Sequence, residues 1–142
     1  MRSWMLLVPL IAQVLTQAPP VYRGSWIGTA GPSQVYRGRW TGQVLPKNAN
    51  AAQGSWSVLS DSKRTVIEGT WSAKKSVVGW QGTWAARAQN GRPFSGTWRA
   101  DLVKSKSNTF QQLLEQTLKN QVAGRWASGR LHGNWWLQGG GP

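Results

Sequence analysis

The chain has no cysteine, one histidine and only four acidic residues, Asp61, Glu68, Asp101 and Glu115. Without cysteine there is no disulfide framework, no thiolate zinc site and no cysteine nucleophile. A Ser–His–acid triad would have to use His132, which lies in a tight hairpin. A paired-carboxylate hydrolase needs two acids facing one substrate. Here Asp61 falls in a turn, Glu68 and Asp101 on the polar faces of different strands, and Glu115 in a helix. No glycine-rich loop stands where it could cradle a phosphate. The expectation is a protein that is not an enzyme, with no cofactor and no metal. Long hydrophobic runs are also scarce. The longest, Trp4–Leu15, is shorter than the roughly 20 residues a spanning helix needs.

That run belongs to a leader. Residues 1–18, MRSWMLLVPLIAQVLTQA, carry Arg2 ahead of the apolar stretch and a small-residue triplet, Thr16-Gln17-Ala18, after it. This is the layout of a secretory signal peptide. A helix docked on the domain and an uncleaved membrane anchor are the alternatives, and Pro19-Pro20 leaves the cleavage point open. The expected location is outside the cytoplasm: periplasmic, envelope-associated or secreted. Residues 19–138 form the domain, and 139–142 a flexible glycine-rich tail.

What the chain has in abundance is tryptophan, glycine and positive charge: 11 Trp, 17 Gly and a net charge of +13 in 142 residues. Gly-x-Trp recurs eight times, ending at Trp26, Trp40, Trp56, Trp71, Trp84, Trp98, Trp126 and Trp135. A pattern this regular is a repeat signature. Each copy sits in a stretch that alternates apolar and polar residues, such as Val66-Ile67-Glu68-Gly69-Thr70-Trp71-Ser72-Ala73. Period-two alternation rich in Thr, Val and Trp predicts strands. Glycine and tryptophan two apart share a face, and Ser, Thr, Arg, Asn and Gln take the other. Glycine weakens a strand unless its missing side chain is used. An indole from a neighbouring strand can lie over that gap. The eight GxW indoles are therefore the expected structural core.

The turns predict four hairpins: Trp26/Trp40 through Gly31-Pro32-Ser33, Trp56/Trp71 through Ser60–Lys63, Trp84/Trp98 through Gln89–Arg92, and Trp126/Trp135 through Ser128-Gly129-Arg130. Parity constrains them, because a one-residue slip turns a strand over. Trp56/Trp71 and Trp126/Trp135 are an odd number apart, so even loops serve. The other two pairs are separated by an even number and need a three- or five-residue loop, or a bulge. Pro46–Gln53 is expected to be a loop between hairpins. Between the third and fourth hairpins, Phe110, Leu113, Leu114 and Leu118 make one stripe of a helix over about 108–120, with Asn108 as N-cap and Lys119 near its C-terminus. That helix should cover one end or one edge of the sheet.

The stretch Gly124-Arg-Trp126-Ala-Ser-Gly129-Arg-Leu-His132-Gly133-Asn-Trp135 resembles the MORN repeat, GxWxxGxxHGxG, with Trp135 where that family has a further glycine. Tyr22-Arg-Gly24-Ser-Trp26 and Tyr36-Arg-Gly38-Arg-Trp40 resemble its YxGxW opening, and Asn90-Gly91-Arg92 its turn. The resemblance covers four short pieces and departs from the family in period. It implies stacked β-hairpins and, in some members, binding to proteins or acidic phospholipids. The Gly-Thr-Trp strand start is also similar to avidin- and lipocalin-like barrels, over three residues and with no ligand residue to carry across.

The fold expected is mainly β: about eight antiparallel strands in four GxW hairpins, forming a small barrel or strongly curled sheet, with one amphipathic helix. Eight indoles need cover, and closure also removes sheet edges. An open MORN-like sheet is the alternative. An eight-strand barrel is wide enough to be filled by side chains or to hold one small ligand. Eight indoles inside it leave little room, which argues against a roomy carrier.

Charge is the main functional signal. The candidate anion-binding residues are Arg23, Arg37, Arg39, Lys63, Arg64, Lys74, Lys75, Arg87, Arg99, Arg125 and Arg130. A field of one sign favours anionic partners. For an exported protein these are anionic lipid, envelope polysaccharide or an acidic protein. Nucleic acid calls for the same charge, but stacking on bases needs exposed indoles. The first functional expectation is thus a non-enzymatic basic β-domain that binds an anionic envelope surface or an acidic protein. The second is a binder of a small apolar or aromatic ligand at a Trp-lined barrel mouth, using Trp80 and Trp136, the two domain indoles outside the GxW set. The third is a nucleic-acid binder.

Overall fold

The computed structural model describes residues 18–76, 79–101 and 109–140. The leader expected at 1–18 falls almost wholly outside them. The elements are β1 (Tyr22–Ala30), β2 (Gln34–Leu45), β3 (Asn48–Leu59), β4 (Thr65–Ser76), β5 (Gly79–Ala88), β6 (Pro93–Ala100), α1 (Phe110–Lys119), β7 (Val122–Ser128) and β8 (Leu131–Gly139). Every strand is antiparallel to its sequence neighbours, and β8 returns to pair with β1. The result is a closed eight-stranded up-and-down barrel, so the open hairpin stack that the MORN-like motif implies does not form.

The repeat dictates the register. Within each hairpin the two GxW motifs meet head to tail, so that the glycine of one faces the tryptophan of the other. In β1–β2 the pairs are Gly24↔Trp40 and Trp26↔Gly38, and in β3–β4 they are Gly54↔Trp71 and Trp56↔Gly69. Gly82↔Trp98 and Trp84↔Gly96 follow in β5–β6, and Gly124↔Trp135 and Trp126↔Gly133 in β7–β8. A side chain at these glycines has nowhere to go. A Cβ at Gly133 would come within 2.6 Å of the Trp126 Nε1, and one at Gly38 within 2.8 Å of the Trp26 Nε1. The cross-strand indole lies directly over Gly38, Gly54, Gly69, Gly96, Gly124 and Gly133, while at Gly24 and Gly82 the nearest atoms belong to the Gln138 and Ser72 carbonyls that Trp40 and Trp98 bond.

Turn geometry obeys the parity rule. Ala30 pairs with Gln34 across the three-residue loop 31–33. In the third hairpin Ala88 N–H donates to the Arg92 carbonyl, leaving a three-residue loop with Gly91 at φ +79°. The fourth closes on the two residues between Ser128 and Leu131. The second differs from the expected even loop. It has an odd loop under the Ser60–Arg64 pair, and a register shift at Val58/Leu59 restores the parity. Lys63 takes a positive φ there.

Two segments depart from the sequence reading. Only 46–47 turn between β2 and β3, whereas Asn48–Gln53 belongs to β3. The reason is packing, since Ala51 and Ala52 are buried and their small side chains lie at the barrel end that α1 covers. The expected tail also begins later. Gly139 pairs with Gly24, and Gly140 N–H donates to the Arg23 carbonyl at 2.9 Å. The closing ladder thus extends two residues into it.

Helix α1 lies between β6 and β7 in sequence and plugs the end opposite the four hairpin turns. Thr109, not Asn108, is its N-cap, with its hydroxyl accepting from Gln112 N–H at 3.2 Å. Asn108 lies outside the described residues. Phe110, Leu113 and Leu114 are buried against Tyr22, Val44, Ala73 and Val122. Trp80 belongs to this cluster too, edge-on to Phe110 at 4.5 Å. No helix among the described residues is long and apolar enough to cross a membrane.

Candidate functional site: an indole-walled cup

All eight GxW indoles face the interior, yet they do not fill it. They lie along the wall, where each glycine gap lets an indole N–H pass to a backbone carbonyl. Trp26 Nε1 donates to Ser57 O at 2.9 Å, Trp71 to Thr41 O at 2.8 Å, Trp98 to Ser72 O at 3.0 Å and Trp126 to Thr29 O at 2.9 Å. Trp56, Trp84 and Trp135 reach Thr70, Thr97 and Arg125 carbonyls in the same way, and Trp40 is shared between Ser25 and Gln138. A buried indole N–H finds a partner when it can, and here the partners lie in the wall.

The rings also hold one another. Trp26, Trp56, Trp84 and Trp126 form a chain of edge-to-face contacts, with centroids 5.9, 5.9 and 6.1 Å apart. Trp71, Trp98 and Trp135 form a second chain at 6.0 and 5.9 Å. Edge-to-face pairs at such spacings are the favoured aromatic geometry. Seven of the eight indoles are thus fixed by a hydrogen bond and by ring neighbours, and Trp40 by its two carbonyl partners and its burial. The wall is therefore preorganised.

Between these rings runs a cavity of about 660 Å³ with an overwhelmingly apolar lining. Its floor is Phe110, Leu113 and Leu114 of α1, and its mouth lies among the hairpin turns, with Gly31, Asn90 and Leu131 on the rim. Leu131 is 65 % exposed and points inward by register, as does Phe94, which packs on Trp84 at 5.7 Å. The expectation that eight indoles leave little room is therefore corrected. Volume alone predicts a filled barrel, but indoles laid flat over glycine leave the axis empty. The cavity is within the size of ordinary small-molecule sites.

The two indoles singled out for a ligand are elsewhere. Trp80 is 3 % exposed and packed beneath α1. Trp136 stands on the outer wall, opposite Ile27 and Ala123. Neither lines the cavity. The polar groups at its mouth are instead Gln34, Tyr36, Asn90, Arg92 and Ser128, whose hydroxyl donates to Ser95 O. The Tyr36 hydroxyl donates to Gln34 Oε1 at 2.7 Å. Arg92 has the same parity as Phe94 and Gly96, so the loop length that keeps Trp84 and Trp98 on one face also turns Arg92 inward. That signal was present in the sequence.

The outer wall carries the cations and hydroxyls, with Thr41–Ser55 and Ser72–Thr83 in cross-strand hydrogen bonds. This polarity is the reverse of a membrane barrel, whose outer band is apolar. The sequence-predicted anion residues divide into groups. Lys74, Arg99 and Arg125 join one row around the barrel through the register Lys74↔Gln81↔Arg99↔Arg125. Arg23, Arg37 and Arg39 lie on β1 and β2, and Arg87 faces Glu68. Lys63, Arg64 and Arg130 lie at turns, while Lys75 is at the helix end of β4, opposite Trp80. Asp101 reaches Arg125 at 3.9 Å. His132 is exposed on β8, and among the described residues no group of three His, Asp or Glu side chains gathers as metal ligands.

One titratable group is perturbed at the closed end. Burial pushes the Tyr22 phenol above its ordinary value, and Glu115 adds to this through its charge and through the hydrogen bond it accepts at 3.4 Å.

No family model, curated protein or solved structure matches this chain.

Proposed function

We propose that the barrel is a binding cup for a small apolar or aromatic molecule, with no chemical step of its own. The observation that carries this is the apolar cavity, floored by a helix and open at the turns, whose indole wall is held in place by hydrogen bonds to the barrel backbone. A site fixed before binding loses little conformational freedom when it is filled. The test uses tryptophan emission, because the sensors are the site. Apolar and aromatic compounds titrated into the folded protein should quench or shift that emission saturably. Ala88 lines the cavity on β5 close to the third turn, and Ala88→Phe should block the response while leaving the far-ultraviolet circular dichroism unchanged. A folded parent protein that responds to none of a broad panel would overturn the reading.

A second reading concerns the outer wall: attachment to an anionic surface, of which lipid head groups are the version we would test. Arg99 and Arg125 stand directly opposite each other on neighbouring strands, with Lys74 in the same row. Like charges so placed repel, and an anion laid across them removes that cost. Vesicles containing anionic lipid should bind the protein at low salt and release it steeply as salt rises. Absence of binding at low salt would end this reading. Binding that resists salt would do the same.

A further inference from the structure

We infer that the cup prefers a ligand with a negatively charged head: an apolar or aromatic body that enters the barrel and a carboxylate, sulfonate or phosphate that stays at the rim. This rests on the cup reading above and adds the chemical class of its ligand.

The argument comes from topology. All four hairpin turns lie at the same end, because β1 to β8 run up and down without a crossover and α1 closes the other end. The basic residues of those turns are thereby collected around one opening. Lys63 and Arg64 come from the second turn, Arg92 from the third and Arg130 from the fourth. Asp61 is the only acid in the four turns. Arg92 is the one that lines the cavity, and its backbone N–H is already fixed to Asn90 Oδ1 at 3.0 Å. Its guanidinium side chain is exposed. The Tyr36 hydroxyl and the Gln34 amide add neutral polar groups to the same mouth.

Below this rim the wall offers almost nothing to a polar group. The indole N–H groups are all engaged with the backbone, so a charge carried to the floor would be desolvated without a partner. The body of the ligand must therefore be apolar and its charge must remain at the mouth. A cation there would meet Lys63, Arg64, Arg92 and Arg130, whereas an anion would find a planar bidentate donor in Arg92. The whole-molecule charge of +13 acts in the same direction by drawing anions toward the protein.

The experiment is calorimetric titration of the full chain at low salt. Two anions are compared with the uncharged alcohols of the same body: dodecanoate with dodecanol, and anthracene-9-carboxylate with anthracene-9-methanol, all below micelle-forming concentrations. The two bodies distinguish a lipid-like chain from an aromatic acid as the natural source. The anion of at least one body should bind about tenfold more tightly than its alcohol, the worth of one charge-assisted hydrogen bond. Arg92→Gln should remove most of that preference without changing affinity for the alcohol. Arg39→Gln, on the outer wall, should leave the preference intact. If a body binds but its anion and alcohol bind equally, the inference is overturned while the cup remains. Unchanged preference in Arg92→Gln overturns it, as does equal loss in Arg39→Gln. If none of the four compounds binds, the inference fails, and the cup reading fails with it only when the broader panel also leaves the tryptophan emission unchanged.

Discussion

Substituting Gly96 by alanine puts the packing argument at risk most directly. In an ordinary strand the change is favourable, since alanine restricts the unfolded chain and gains about 0.4–1 kcal/mol where the backbone accepts it. At Gly96 the new Cβ would overlap the Ala127 carbonyl oxygen and stand 2.5 Å from Trp84 Cζ2. The carbonyl belongs to β7, whose ladder with β6 runs only over Thr97↔Ala127 to Ala100↔Gly124. The indole cannot retreat either, because its N–H is tied to Thr97 O and its edge to Trp56 and Trp126. Overpacking of this kind costs typically 1–3 kcal/mol, and with backbone as the obstacle the upper end applies. The expected loss is about 3 kcal/mol, or roughly 10 °C in Tm for a domain of this size. Guanidinium unfolding followed by tryptophan emission and by circular dichroism measures it. Gly140→Ala is the control, because its nearest heavy atom would lie at 3.9 Å and stability should stay within about 0.5 kcal/mol. A Gly96→Ala protein as stable as its parent would refute the idea that the glycines are there for the indoles.

Other outcomes follow from the closed end and the outer wall. Thr109→Ala removes the helix N-cap and should cost about 1 kcal/mol in the same unfolding assay. Because the folded state holds Tyr22 above the ordinary phenol value of 10.0, its contribution is complete below that pH and is lost as pH rises through the folded value. Tyr22→Phe should flatten the decline in stability between pH 9 and 11, and parallel declines would contradict the assignment. Arg99→Ser relieves the charge facing Arg125 and should raise stability by about 0.2–1 kcal/mol at low salt, with the gain vanishing near 1 M. The same substitution should weaken attachment to anionic vesicles.

The barrel was legible because the GxW spacing is a local rule with a global consequence. Glycine and tryptophan two apart fix a face, their order fixes the cross-strand partner, and parity fixes loop lengths. Hence the loops at 31–33 and 89–91 follow from counting alone. Eight such strands with one indole face then close, as they do through β1 and β8. The cavity was not legible, because composition reports the volume of an indole and not its tilt. The tilt is set by hydrogen bonds such as Trp71 to Thr41, a partner 30 residues away on another hairpin. For the same reason the sequence alone points to Trp80 and Trp136. Lying outside the repeat marked them as unusual in sequence, but a floor contact with Phe110 and a place on the outer wall are tertiary facts. Asn48–Gln53 was obscured by its composition, since Asn and Ala are weak strand formers until a helix covers them.

The head-to-tail pairing of GxW motifs also bears on how the chain reaches this state. Each hairpin can set its own glycine–indole register before any other part of the molecule is present, although indole N–H groups such as those of Trp26 and Trp71 find their carbonyls only when a neighbouring hairpin docks. Seven of the eight ladders join strands that follow one another in sequence. Only the ladder of β1 with β8 must bring the two ends together, as in Gly28↔Trp135. That step bears the loop-closure entropy of nearly the whole domain, and it is rewarded only once the curvature is already set. Substitutions at Gly28 or Leu137 should therefore slow the final closure, and those at the third hairpin should act earlier. Stopped-flow refolding, with the indoles as reporters, would separate the two.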